Sequence, residues 1–326
     1  NRVFGVDGDI RITDKDRIYF QALGSSTRYP GSVAAEFGQP EGSLSGGVLD
    51  LTYYRNTRNW DILAGYTDIS EDFRADLGYI PQVGYRSYYV TNYYSWIAKP
   101  GDWFSNLRVM GKVDNMEDRD GNLLYRAMVA DFTYEGPMQS YVQARYKRFR
   151  EGYLGQEYDQ NYYHLDSDIY FTSNFYGAIK FVFGDRIDYA NSRLGKRFQV
   201  RPGISANISR SLKASLTHTY EQLTIDEGRL YTANISQGKI IYQFNARTFV
   251  RAIFQYRNYD YAADLYYDEI DPQYRHLFSQ FLFSYKINPQ TVLFLGYSDD
   301  YLGAHDYGLT QADRTFFAKV GYAWSL

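Results

Sequence analysis

The stretch FQVRPGISANIS, residues 198–209, decides how this sequence is read. Phe198, Val200, Ile204, Ala206 and Ile208 point one way, and Gln199, Arg201, Ser205, Asn207 and Ser209 point the other. A period of two marks a β-strand with one apolar and one polar face. The next segment, LKASLTHTYE (212–221), sets Leu212, Ala214, Leu216 and Tyr220 against Lys213, Ser215, Thr217, Thr219 and Glu221. In SQFLFSYKI (279–287), Phe281, Phe283, Tyr285 and Ile287 oppose Gln280, Ser284 and Lys286, with Leu282 the exception. Such strands run about 10 to 14 residues, against about 5 or 6 in ordinary globular sheets. Crossing a hydrocarbon core on a tilt takes about 9 to 11. Lipid offers no hydrogen bonds, so a spanning sheet must satisfy its backbone internally. The fold class expected is all-β, a transmembrane antiparallel β-barrel of about 18 or more strands.

Composition narrows the class further. Aromatic residues make up 19% of the 326, yet the mean hydropathy is −0.50, so apolar side chains are interleaved with polar ones. No apolar run is long enough for a transmembrane helix, which needs about 18 residues or more. A net charge of −3 gives no support to a nucleic-acid partner. Cysteine is absent, which excludes a disulfide frame and a thiolate metal site.

Connections supply an independent test, because barrels of this class alternate short turns with long external loops. Tight connections are read at TDKD (13–16), NTRN (56–59), AKPGD (98–102), EGPM (135–138), TSN (172–174), SRS (209–211), NAR (245–247) and NPQ (288–290). Between them fall external segments at 25–45, 69–83, NMEDRDGN (115–122), REGYLGQEYDQ (150–160), YANSRLGK (189–196), IDEGR (225–229), 260–274 and 299–313. The alternation is unbroken. It delimits seventeen strands within one barrel domain spanning 1–326. The first and last strands then run in the same direction. Because bacterial barrels have even strand numbers, at least one further strand is expected before Asn1. A change of face in GRLYTANISQGKIIYQF (228–244) is expected to mark a bulge near Gly238.

The ending KVGYAWSL (319–326) resembles the C-terminal signal read by the barrel-assembly machinery, with Lys319, Gly321, Trp324 and Leu326 in its places. Phe is commoner than Leu at the last of these. NRVFGVDGDIRI (1–12), EDFRADLGYIPQVGYRSYYV (71–90) and FFAKVGYAWSL (316–326) resemble an uncharacterised outer-membrane family. In that family a C-terminal β-barrel domain of unknown function follows a carbohydrate-binding module similar to family 9. The resemblance implies a bacterial outer-membrane location and an upstream glycan-binding module. It brings no catalytic residues.

Charged residues assigned to the inward face carry both signs. The bases are Arg108, Lys112, Arg145, Lys147, Lys180, Arg201, Lys213, Arg251, Arg257, Lys286 and Lys319. The acids are Asp50, Asp61, Asp114, Asp131, Asp166, Asp168 and Glu221. The balance favours anionic solutes in a wet lumen, whereas mutual pairing would simply fill it. External loops rich in Tyr and carboxylates suit sugar rings and hydroxyls, with Tyr266, Tyr267, Asp268 and Tyr301 as ligand candidates. Interfacial Tyr belts are also ordinary in barrels. No cofactor is expected beyond a loop Ca²⁺, for which Asp264, Asp268, Glu269 and Asp271 offer oxygen ligands. MEDRDGN (116–122) reads as a turn, since Met116 stands where an EF-type loop needs its first carboxylate.

Catalysis is not expected. His164, His218, His276 and His305 are the only histidines. Asp299-Asp300 and His305-Asp306 share one loop, whereas an outer-membrane protease needs them on facing strands. His218 is placed toward lipid, with no Ser in evident sequence reach. The expected role is a channel or transport component for polar, anionic or carbohydrate-related solutes. The alternative is a non-enzymatic scaffold anchoring a glycan-binding module or a partner protein at the cell surface. Partners expected are outer-membrane lipid, the barrel-assembly machinery, and a carbohydrate or partner protein.

Replacing both Trp324 and Leu326 by Asp should abolish assembly. The change removes the signal and puts charge on the lipid face, at a cost per site below the roughly 2–4 kcal/mol of a basic residue at mid-membrane. Loss of the folded, heat-modifiable band from membrane fractions is the expected result.

Overall fold

A computed structural model describes residues 1–288 and 290–323 of the chain. Trp324 and Leu326 of the C-terminal signal lie outside the described residues. The described residues form a 17-stranded sheet, the number of strands read from the sequence. Two compact units divide the chain, residues 1–133 with 145–161, and residues 134–144 with 162–326.

The first unit holds β1 (Arg2–Arg11), β2 (Asp16–Arg28), β3 (Ser43–Asn56), β4 (Trp60–Ile69), β5 (Tyr85–Ile97) and β6 (Asn106–Asp118). Consecutive strands pair antiparallel, from Arg2↔Ser26 through to Ile97↔Asn106. β7 (Leu123–Gly136), β8 (Ser140–Tyr153) and β9 (Gln156–Thr172) contribute in part. A short helix, α1 (Gly31–Phe37), lies in the β2–β3 connection and ends on Gly38 in the left-handed region, φ 58°.

The second unit continues with β10 (Phe175–Asp188), β11 (Arg193–Asn207), β12 (Leu212–Ile225) and β13 (Gly228–Asn245). It ends with β14 (Thr248–Tyr261), β15 (Gln273–Asn288), β16 (Thr291–Gly303) and β17 (Thr310–Tyr322). Each strand again pairs antiparallel with its chain neighbour.

Register partners share a face, so the ladder sorts the side chains without ambiguity. In the second unit one row runs Ile240, Ala252, Phe281, Tyr297, Phe316. Another pairs Phe183 with Phe198. These belong to an exposed apolar face: Ile240 is 46% exposed, Phe183 47% and Phe316 71%. In β17 Val320 pairs with Leu293 and Tyr322 with Thr291 on that face, while Lys319 and Gly321 take the opposite one, as the sequence pattern predicts.

Three sequence expectations need correction. REGYLGQEYDQ is not a loop, because β8 and β9 extend into it and leave a two-residue turn at Leu154-Gly155. Both turn residues have positive φ, 49° and 76°, the geometry that matches strand twist in a tight hairpin. Arg150 binds Asp159 and Glu157 across that hairpin, so polarity there reflects strands continuing beyond the apolar belt. IDEGR shrinks likewise to Asp226-Glu227. The register also runs unbroken past Gly238, and the irregularity falls beside Leu230, between Leu223 and Thr224 of β12 and Arg229 and Tyr231 of β13. The apparent change of face arises because Asn234 and Ser236 stand on the apolar face while Ile235 and Ile241 stand on the polar one.

The 70–84 connection folds down over β2 and β3. Phe73 is fully buried there, and a Cβ on Gly46 would lie 2.2 Å from the Phe73 backbone nitrogen. The Arg74 amide donates to Ser25 Oγ at 3.0 Å, its Nε to Gln39 Oε1 at 2.9 Å, and Tyr29 donates to Asp76 at 2.7 Å. Burial, then the hydrogen bond to Asp76, raises the Tyr29 phenol above its usual pKa. Phe73→Ala should release this segment, at a cost of about 3 kcal/mol or more. Limited proteolysis should then cleave within 70–84 much faster while the rest of the sheet stays resistant.

Candidate functional site

Opposite the apolar face lies a charged one, built from the alternate residues of every strand. In the first unit Asp131 accepts from Arg145 Nε at 2.8 Å and from Thr133 at 3.1 Å. Lys112 pairs with Asp114 at 2.7 Å and lies 5.3 Å above the Tyr89 ring. That ring occupies the space over Gly65, where a Cβ would approach it to 2.4 Å. Lys147 sits 3.8 Å from the Phe149 centroid, a cation–π contact. Arg108 donates to Ser95 Oγ at 3.0 Å.

In the second unit the charges gather around Glu221. Its carboxylate accepts from Arg186, Arg197, Gln199 and Tyr231, each at 2.7 Å. This cluster neutralises one acid with two guanidinium groups. Elsewhere the bases are less balanced. Lys180 stands directly opposite Arg201 and has Asp166 as its register partner on the other side. Among the described residues neither Lys180 nor Arg201 has a carboxylate within 4.0 Å, nor do Lys213 and Arg251. Lys213, Ile241 and Arg251 form one rung, and Arg251 donates to Gln280 at 2.9 Å. Asp168 stands opposite Ala178 on the same face. Thus the ladder brings Asp131 to Arg145 and groups bases on Glu221, but leaves Arg108, Lys180, Arg201, Lys213 and Arg251 as fixed cations.

The loop candidates fare unevenly. Tyr266 is packed against Leu223, Ile225 and Leu230, and burial, with Asp188 nearby, pushes its phenol up to about 12. It is a packing residue. Tyr267 is 77% exposed and lies 5.6 Å from the Arg193 guanidinium, with Asp268 exposed beside it. Tyr301 belongs to β16, opposite Leu277, and is a strand residue. Asp271 accepts from the amides of Gln273 and His305, and so fixes its own loop. No group of three His, Asp or Glu side chains converges as a metal site among the described residues. Asp118 caps its turn by accepting from the Asp120 and Asn122 amides, at 3.0 and 2.8 Å.

Asp299 and Asp300 point to opposite faces. Asp299 accepts from Arg314 and Gln311, whereas Asp300 meets His276. The protease-like arrangement therefore does not assemble. One pair escaped the sequence reading. Ser236 lies directly across from His218, with Oγ 2.8 Å from Nδ1, on the apolar face. Only the register could reveal it, since eighteen positions separate the two residues. Among the described residues no carboxylate orients the imidazole, as nucleophilic catalysis by such a pair requires.

No protein-family model matches the chain. No curated protein is similar to it in sequence. Solved structures with a similar course of chain are outer-membrane proteins. OmpT of Vibrio cholerae matches over 97% of this chain and 100% of its own, at 9% identity and a TM-score of 0.45. The outer-membrane channel DcaP of Acinetobacter baumannii matches over 97% and 99%, at 10% identity and 0.45. The siderophore receptor PirA of the same organism matches over 99% and 71%, at 9% identity and 0.44. At these values the likeness transfers neither activity nor ligand. On its own ladder, faces and strand lengths, the chain has the architecture of an outer-membrane β-barrel.

Glu221→Ala would leave Arg186 and Arg197 without their shared anion. Breaking such a partly buried network should cost about 3 kcal/mol. The folded band in heat-modifiability gels should convert at a lower temperature, and Glu221→Gln should fall between the two.

Proposed function

We propose that this chain is the wall of a bacterial outer-membrane channel for small polar solutes, with a preference for anions, carboxylated or phosphorylated sugars among them. One observation carries the preference: Lys180 and Arg201 face each other in register, and among the described residues neither has a carboxylate in ion-pair range. Like charges directly opposite destabilise a sheet unless an anion or water lies between them. Beside them is a hollow of about 380 Å³, lined also by Asp166, Tyr176, Ser205, Ser215 and Thr217. Hydroxyls next to fixed cations suit an oxyanion with neighbouring sugar hydroxyls. The acids Asp131 and Glu221 are tied to arginines, and Asp166, on the far side of Lys180, offsets one of the two cations, which leaves a net positive charge on this rung. The role is that of a conduit, without a catalytic step.

Conductance in planar bilayers tests the reading. The wild-type protein should give ohmic channels with a reversal potential shifted toward anions in a KCl gradient. Lys180→Glu with Arg201→Glu should move that potential toward cations. An insulating, correctly inserted protein would contradict the channel and favour the scaffold that anchors a glycan-binding module. Unchanged selectivity in the double variant would contradict the anion site alone.

A further inference from the structure

The apolar face of the first unit is not uniformly convex. A groove of about 700 Å³ opens on it, within the range of about 300–1,000 Å³ typical of small-ligand sites. Its walls are Leu51, Tyr53, Tyr66, Tyr88, Val90 and Met128. The depression is set by Ala64, which pairs with Tyr53 on one side and Val90 on the other. Larger side chains flank this small one on all sides.

At the end nearer the long connections the groove meets two polar groups. Asn115 is the register partner of Tyr88 and is 5% exposed. Its Oδ1 accepts from Arg126 Nε at 2.8 Å, which holds the guanidinium against the mouth of the groove. Its Nδ2 is buried and has no hydrogen-bond partner among the described residues. Arg126 has no carboxylate within ion-pair distance among the described residues. Glu117 lies one rung beyond, opposite Arg86, while Asp68 is taken by Arg86 and Arg119 at 3.5 and 2.5 Å. An orphaned buried donor is costly, and an arginine on a lipid-facing wall is costlier still. Both costs fall if one acceptor-rich anion is seated there, since guanidinium and amide together offer donors to phosphate oxygens.

We propose that this groove binds a phosphate-bearing lipid of the leaflet on the long-connection side. An acyl chain lies along Ala64 beneath Tyr66 and Tyr88, and the headgroup phosphate accepts from Arg126 and Asn115 Nδ2. The inference rests on the membrane placement proposed above. It differs from a general annulus of lipid by demanding both parts at once. A free anion lacks the chain that fills the groove, and diacylglycerol lacks the anionic phosphate oxygens.

Native mass spectrometry of the intact, detergent-folded protein provides the test, with phosphatidic acid, diacylglycerol and inorganic phosphate as probes. Phosphatidic acid should be retained at one copy, well beyond the other two. Arg126→Gln should weaken that retention about fivefold or more, the effect of one interfacial basic residue on an anionic lipid. Ala64→Phe, which fills the groove and leaves the polar end intact, should weaken it comparably. Both variants should still enter the membrane and give a heat-modifiable band. Equal retention by Arg126→Gln and wild type would overturn the proposal, as would equal binding of inorganic phosphate or diacylglycerol. A chain that never inserts would instead contradict the membrane placement itself.

Discussion

In hydrocarbon a backbone amide finds no water, and each unpaired N–H or C=O costs several kcal/mol. That constraint explains why the chain has almost no other local structure than long antiparallel strands joined to their sequence neighbours. Every strand from β9 to β17 keeps its register for ten residue pairs or more, apart from single irregularities. Once the backbone is committed to the ladder, side chains have only two directions to take. The functional question then reduces to what each face meets.

The apolar face meets something that tolerates Phe183, Ile204 and Leu216 at 47–52% exposure, on strands paired along both edges. A soluble protein rarely exposes contiguous apolar patches on this scale. The charged face solves a different problem. Glu221 with its two arginines and Asp131 with Arg145 show bases and acids locking into fixed geometry, as wall rather than cargo site. Lys180 and Arg201 show the opposite, a repulsive pair retained in register. Asp166, on the far side of Lys180, offsets one of the two charges.

Much of this was legible in the sequence because a period of two is local information. Lys319 and Val320 could be assigned to opposite faces from eight letters, and the register agrees. Hydrogen-bonded partners across strands are not local. His218 and Ser236 meet only because β12 and β13 fix the offset between them, and Arg126 meets Asn115 for the same reason. Loop lengths were overestimated where polarity was taken for irregularity: Arg150, Glu157 and Asp159 are charged because their strands continue past the apolar belt. The burial of Phe73 was likewise invisible. Its partner Gly46 matters for a missing Cβ, and nothing in the spacing announces which backbone will need that room.

The central claim is that alternate residues of one strand face lipid and polar surroundings. With no cysteine in the chain, single nitroxide labels can be placed freely from Lys239 to Gln243 of β13. Accessibility to oxygen, which partitions into lipid, should peak at positions 240 and 242. Accessibility to a polar nickel chelate should peak at 239, 241 and 243. Two interleaved patterns in opposite phase are the predicted result. Equal accessibility at all five positions, or protection of 240 and 242 from both reagents as in a packed protein core, would contradict the account.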